Sequence, residues 1–392
     1  MPISKVPIGT LEAVANPFHY GTPAEGDYFT GRAEELEVLE SRMRAGINVV
    51  LISPRRYGKT SLLRAAHARL ARARPAAAVV EANVLRATSL AGLAGMLLAA
   101  AYRLPGARWA RARQAVPEFL RRLRVAPTIS FDPAGQPRFG FDAGLAMRDA
   151  ETVLADIYAL LDEEAARRPA ALVLDEFQAI TRHGEVLADV LKGLADAHPR
   201  VSLVLAGSKR HLMETLVLVA QAPLYGMTQR LTLGPIPDDV MADYLRERAE
   251  GAGKPFAGGV PERLISLAGP VPNDIQHLAF ESYQVGADRI DHPAVEQGLA
   301  RAVAHEAALY AESLGRFSPG QSRVLAAIAA EAPEEPYSAA FARSVGLASA
   351  SSVRKALQPL INNEDVVERD GRLAVADPFF AAWLRGELGE AS

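Results

Sequence analysis

Four short runs of the chain are apolar at nearly every position rather than at alternate ones: Asn48–Ile52, Ala77–Glu81, Ala170–Leu174 and Val201–Ala206. Such unbroken runs suit strands covered on both faces, as in a parallel sheet. Between and around them the apolar positions recur at helical spacing. This predicts helices over Ala33–Arg44 (Leu36 and Leu39 on one face), Ser61–Arg74, Ser89–Arg103, Asp149–Arg167 and Gly184–Ala197. Strands alternating with helices predict an α/β fold, a parallel sheet flanked by helices.

The rhythm changes in three places. Residues 1–30, rich in Gly, Pro and aromatics, read as an irregular N-terminal strap, and the α/β domain is placed at 31–236. The stretch at about 105–142 reads as an insertion in it. There a basic piece, Arg108 to Arg124, suits a solvated helix face, and aromatic alternation around Phe131 and Phe139 suits a hairpin. From Pro237 strand signals stop, and Asp238–Gly251, Pro261–Leu267, Asn273–Val285 and Pro293–Leu314 predict an all-helical domain at 237–315. The last domain, 316–392, shows helices over Ser318–Ala330, Ser338–Val345 and Ser349–Ile361. A tail, Val366–Val375, follows with the turn pair Asp370-Gly371. Three helices and a hairpin is the order of a winged helix-turn-helix. Phe379, Phe380 and Trp383 beyond it read as closing that module's core.

Composition narrows the chemistry. A chain of 392 residues with 49% hydrophobic and 23% charged residues is globular, and its length asks for two or three domains. The absence of cysteine excludes disulfides, thiolate metal sites and cysteine nucleophiles. A net charge of −3 excludes a polycation that coats nucleic acid. Of 43 basic residues only six are lysine, which makes Lys59 worth inspecting. The eight histidines show no ligand spacing. The first ten residues lack a signal-peptide core, and the most apolar stretches fall short of the about 20 residues a bilayer needs. A cytoplasmic location without membrane contact is the expectation.

The run Asn48–Ile52 leads into Ser53-Pro54-Arg55-Arg56-Tyr57-Gly58-Lys59-Thr60-Ser61. This fits the phosphate-binding pattern G-x-x-x-x-G-K-[ST], with Ser53 at the first glycine position. Gly58 lets backbone amides turn inward, and the following helix offers its unpaired N–H groups and positive dipole end. Lys59 is suited to the β- and γ-phosphates of ATP, and Thr60 to Mg²⁺. Asp175-Glu176 ends another apolar run, where two carboxylates need a cation or water to offset desolvation. Asp175 is assigned to the metal and Glu176 to activation of water. Ser208, after the run Val201–Ala206, is the candidate γ-phosphate sensor.

Together these residues resemble the archaeal-type ATPase family, a STAND branch of P-loop proteins related to AAA+ ATPases. The resemblance runs from about Asn16 to Arg385. It rests on Asn16-Pro17-Phe18, on Phe29-x-Gly31-Arg32-x-x-Glu35, on Pro54 to Leu62 and on Leu174-Asp175-Glu176-Phe177-Gln178. Gly207-Ser208, Pro223-Leu224-Tyr225-Gly226 and Asp377-Pro378-Phe379-Phe380 complete it. It implies an ATPase core, a helical lid at 237–315 and a winged helix, with Phe29, Gly31 and Arg32 bordering the adenine. ATP would lie between core and lid. Met227 stands where the family has an arginine, and Arg230 is the candidate to replace it.

Three readings of function stay open. The first is a Mg²⁺-dependent switch ATPase, slow or stimulated by a protein partner, that binds ATP and ADP and couples nucleotide state to the lid and winged helix. The second is a DNA-remodelling or initiator-type ATPase, with Arg354, Lys355, Arg369 and Arg372 as the DNA contacts. Eight Arg/Lys against ten Asp/Glu from Arg316 onward weigh against it. The third is a scaffold that holds nucleotide without turnover. Assembly into a homo-oligomer is open in each.

Overall fold

The computed structural model describes residues 16–104, 120–141, 147–183, 186–208, 213–222, 224–369 and 371–390. Most of the basic piece Arg108–Arg124, together with Gly184, Lys209, Pro223 and Asp370, lies outside them. The chain divides into two compact units, Pro23–Pro235 and Met1–Thr22 with Ile236–Ser392.

The first unit begins with α1 (Ala33–Arg44), β1 (Val49–Ile52), α2 (Lys59–Arg72), β2 (Ala78–Asn83) and α3 (Leu90–Tyr102). It continues through a hairpin of β3 (Thr128–Phe131) and β4 (Pro137–Gly140), then α4 (Met147–Ala165), β5 (Ala170–Asp175), α5 (Val186–Ala197), β6 (Val201–Gly207) and β7 (Gln229–Thr232). Five strands form one parallel sheet in the order β2-β5-β6-β1-β7. The unbroken apolar runs have their reason here, because alternate residues feed different cores. Val50, Val80, Leu172 and Leu203 enter a cluster with α3 and α4, and Val49, Leu51, Val79 and Val173 enter one with α1 and α2. The hairpin expected in the insertion is present and is seated on α3. A Cβ on Gly95 would stand 2.3 Å from the Phe139 carbonyl oxygen, so glycine is required for that approach.

Sequence patterning misses β7. It is an edge strand whose residues are mostly exposed, so Gln229–Thr232 shows no apolar run. Its register sets Arg230 beside Val50 and Thr232 beside Ile52.

The second unit is helical up to its terminal hairpin. It contains α6 (Asp238–Gly251), α7 (Val260–Ala268), α8 (Pro272–Val285) and α9 (His292–Gly315), then α10 (Pro319–Ala330), α11 (Ala339–Ser344) and α12 (Ala350–Asn362). β8 (Val366–Arg369), β9 (Arg372–Val375) and α13 (Pro378–Glu390) complete the winged-helix order. The helix starts are encoded locally. Ser318 with Gln321 forms a capping box on α10, and Asp291, Ser338 and Ser349 cap α9, α11 and α12.

One continuous core joins the helices before and after Arg316. His277 of α8 stacks on Tyr20 with ring centroids 4.0 Å apart and meets Phe379 at 4.7 Å, and Phe380 stacks on Trp383. Arg369 of β8 closes the same junction. Its guanidinium donates to the Ala376 carbonyl at 2.6 Å and lies 2.8 Å from where a Cβ on Gly269 would sit. Residues 16–22 are tied to α8. The Asn16 amide donates to the Phe280 carbonyl at 3.0 Å, and the Gly21 N–H donates to Asn273 Oδ1 at 2.9 Å.

No helix among the described residues is long and apolar enough to cross a membrane.

Candidate functional site

β1, β5 and β6 run parallel, so their C-terminal ends share one edge of the sheet, where open α/β folds place ligands. β1 delivers the loop 53–58, β5 delivers Asp175 and Glu176, and β6 between them delivers Gly207 and Ser208. Ser53 extends the ladder, its N–H donating to the Gly207 carbonyl at 3.3 Å, and is buried. The loop's left-handed residues are Arg56 (φ 69°) and Gly58 (φ 90°), and Ser53 is not among them. A glycine is therefore not required at its first position. Gly58 opens α2 with no side chain capping the helix, leaving first-turn amides for an anion.

Lys59 is 6% exposed and lies between two carboxylates. Its Nζ donates to Asp175 Oδ1 and, at 3.0 Å, to Glu176 Oε1. Thr60 Oγ1 donates to Asp175 Oδ2 at 3.1 Å. Glu176 is held in the left-handed region, φ 53°, while its N–H donates to Asp175 Oδ1 at 2.8 Å. A strained conformation at a non-glycine residue persists only where surroundings enforce it. Here the Gln178 amide donates to Glu176 Oε2 at 2.6 Å and Ser208 Oγ donates to the same oxygen at 3.2 Å. Burial pushes the Glu176 carboxyl up, but the Lys59 ammonium and the bonds from Lys59, Gln178 and Ser208 outweigh it and hold the group below the usual carboxylate range.

The structure thus brings Lys59, Thr60, Asp175, Glu176 and Ser208 to one point. Arg55 and Arg56 are exposed on the loop. Phe29 packs against the α1–α2 core, and Gly31 takes φ 66° at the approach to α1. Pro54 follows the strand, and its carbonyl accepts from Ser53 Oγ at 3.0 Å. Ser61 Oγ accepts the Ala24 N–H at 2.9 Å, so this hydroxyl serves the chain rather than facing outward. Arg32, 3% exposed, donates to the Tyr57 carbonyl at 3.2 Å and to the Gly234 carbonyl at 2.6 Å. Arg230 is not brought to the loop. It lies level with the middle of β1, exposed, and its Nε donates to Thr232 Oγ1 at 3.0 Å.

The winged helix divides its candidate contacts. Arg354 and Lys355 are exposed on α12, with Arg354 over the Tyr337 ring at 5.1 Å. Arg369 is committed to Ala376 and Gly269, and Arg372 pairs with Glu334 at 2.6 Å. Sequence reasoning did not single out Gln178 as a site residue, although it sits two places beyond Glu176. It also missed Asn83, whose register partner is Asp175 and whose Oδ1 is buried with no hydrogen-bond partner. A polar residue closing an apolar strand is the signal that marks it.

The donors here are a hydroxyl and carboxylates, the hard oxygens that suit Mg²⁺. Among the described residues no cluster of three or more His, Asp or Glu could by itself hold a metal ion.

Residues 308–386 match the family model described as a probable winged helix domain. No curated protein sequence matches the chain. Among solved structures, a Walker-type ATPase of Pyrococcus abyssi is similar with TM-score 0.63 at 19% identity, covering 94% of this chain and 99% of its own. The ORC2 protein of Aeropyrum pernix, solved in ADPNP and ADP complexes, is similar with TM-score 0.55 at 16% identity, covering 96% and 99%. The chain has the fold of archaeal Walker-type, AAA+-like ATPases, with a parallel P-loop sheet and a C-terminal winged helix.

Proposed function

We propose that this chain is a Mg²⁺-dependent ATPase of the switch type, slow on its own and stimulated by a protein partner or a second copy. One observation carries the reading: Lys59, Thr60, Asp175 and Glu176 converge at the C-terminal edge of the sheet, beside an uncapped helix N-terminus. Binding asks Lys59 to exchange carboxylate partners for phosphate oxygens, while Gly58 and the first amides of α2 receive the phosphate chain. Thr60 and Asp175 would hold Mg²⁺, which when bound neutralises phosphate charge as a Lewis acid. Released from Lys59, the Glu176 carboxylate accepts a hydrogen bond from the attacking water and orients it in line with the leaving oxygen. With Lys59 on phosphate, Glu176 keeps its hydrogen bonds from Gln178 and Ser208, and orienting the water rather than removing its proton in full suits a loose phosphoryl-transfer transition state. Ser208, already hydrogen-bonded to Glu176, would sense the change.

A DNA-bound ATPase is the second reading, favoured by the exposed polar face of α12 with Ser351, Arg354, Lys355 and Gln358. Arg369 and Arg372 lend it no support, being engaged within the unit.

Phosphate release from ATP with Mg²⁺, with and without duplex DNA, tests both. Turnover indifferent to DNA supports the switch. Turnover raised by DNA and salt-sensitive, then lost on changing Arg354 and Lys355, supports the second reading. ATP bound without any release leaves a non-hydrolysing scaffold.

A further inference from the structure

Resting on the nucleotide reading, we infer that Arg32 is a positioning residue. It ties the phosphate-binding loop to the segment by which the chain leaves the Pro23–Pro235 unit, rather than contacting the nucleotide. Arg32 stands just before α1, and its guanidinium is fully engaged with protein at its two ends. Nη1 donates to Glu35 Oε1 at 2.9 Å, and Nη2 donates to the carbonyls of Tyr57 and Gly234; only Nε is without a partner. Tyr57 lies between the two left-handed residues of the loop, Arg56 and Gly58, so its carbonyl direction fixes how the loop's amides are presented. Gly234 follows β7 and comes one residue before the chain passes out of the unit at Pro235. A planar guanidinium spans two carbonyls and a carboxylate in a fixed fork, which a single ammonium cannot reproduce.

The chain enters the unit at Pro23, and there too it is bonded to the phosphate-binding element, through the Ala24 N–H on Ser61 Oγ at 2.9 Å. The entering segment is therefore hydrogen-bonded directly to Ser61, and the leaving segment is linked to Tyr57 through Arg32. Movement of the loop on taking up phosphate is transmitted to Gly234 through Arg32 and to Ala24 through Ser61. That is a mechanical reason for an arginine at position 32 that requires no contact with the base.

The test compares the intact protein with Arg32→Lys, which keeps the charge and stem, by displacement of a fluorescent ADP with ADP, pyrophosphate and adenosine. Loop positioning predicts that Arg32→Lys weakens ADP and pyrophosphate by a similar factor, about tenfold, and leaves adenosine unchanged. Weakened adenosine with unchanged pyrophosphate would overturn the inference and assign Arg32 to the base. Hydrogen exchange on the ligand-free protein is the second measurement. Arg32→Lys should speed exchange in both 54–62 and 232–236, with α3 and α4 unaffected, and unchanged exchange in either segment would overturn the coupling. Failure of the wild-type protein to bind any of the three ligands would refute the nucleotide reading instead, leaving the exchange result to decide the role of Arg32.

Discussion

Replacing Lys59 by methionine removes the ammonium hydrogen-bonded to Asp175 and Glu176 while keeping an unbranched side chain of similar length. Asp175 is 2% exposed and Glu176 20% exposed, so the two carboxylates are left nearly dry and side by side. Removing one partner of a buried ion pair typically costs about 3–5 kcal/mol, and the partial exposure of Glu176 argues for about 3 kcal/mol. For a unit of this size each kcal/mol moves the melting temperature by roughly 2–4 °C, which gives a drop near 10 °C in the calorimetric transition of the Pro23–Pro235 unit.

The effect has a pH signature. In the wild-type protein the Glu176 carboxyl is held below its usual range. Its contribution is therefore present above the unfolded carboxylate range and fades as pH falls through the folded value. In Lys59→Met only the hydrogen bonds from Gln178 and Ser208 still oppose burial, so the group rises above its wild-type position and the variant loses less stability than the wild-type protein as pH falls. The gap between the two proteins should narrow from neutral pH to the carboxylate range. Adding Asp175→Asn to the variant should recover part of the loss. Equal melting temperatures at neutral pH, or a gap independent of pH, would refute the view that Lys59 compensates buried charge in the ligand-free protein.

Three further outcomes follow from the geometry. Glu176→Gln keeps size and removes the carboxylate, so it should bind ATP normally and lower turnover by at least about 100-fold, read as intact ATP retained after incubation. Gly269→Ala meets a φ of 68° with ψ −169° and the Arg369 guanidinium, and should destabilise the second unit by about 1–3 kcal/mol in urea unfolding. Adding Arg369→Ala should relieve the contact but not the backbone strain. Gly95→Ala places a methyl group against the Phe139 carbonyl oxygen and should cost about 1–3 kcal/mol, with hydrogen-exchange protection lost in β3 and β4.

Much of this architecture is legible in the chain because strands buried on both faces cannot hide. Each of the four apolar runs became a strand of the parallel sheet, and the loop and carboxylates were marked by charge where apolar runs end. Legibility failed where local sequence does not encode the neighbour. β7 pairs through its backbone at an exposed edge, so its side chains carry no pattern, and without it Arg230 had no register. Arg32 and Ser61 sit in nucleotide-binding motifs, yet in the structure their polar atoms meet the backbone at Tyr57, Gly234 and Ala24. Arg369 reads as a wing cation until its approach to Gly269, a hundred residues away in the chain, is known. Residue type predicts that a group needs a partner; only the fold says which one.

The most direct test of ATP hydrolysis at Lys59 and Glu176 is single-turnover release of phosphate from Mg²⁺–ATP by the purified protein, beside Lys59→Ala and Glu176→Gln. Release by the wild-type protein is expected, with loss of ATP binding in Lys59→Ala and retained binding without release in Glu176→Gln. Undiminished release by Glu176→Gln would contradict the role assigned to that carboxylate. Tight binding with no release by the wild-type protein would contradict the assignment of an ATPase.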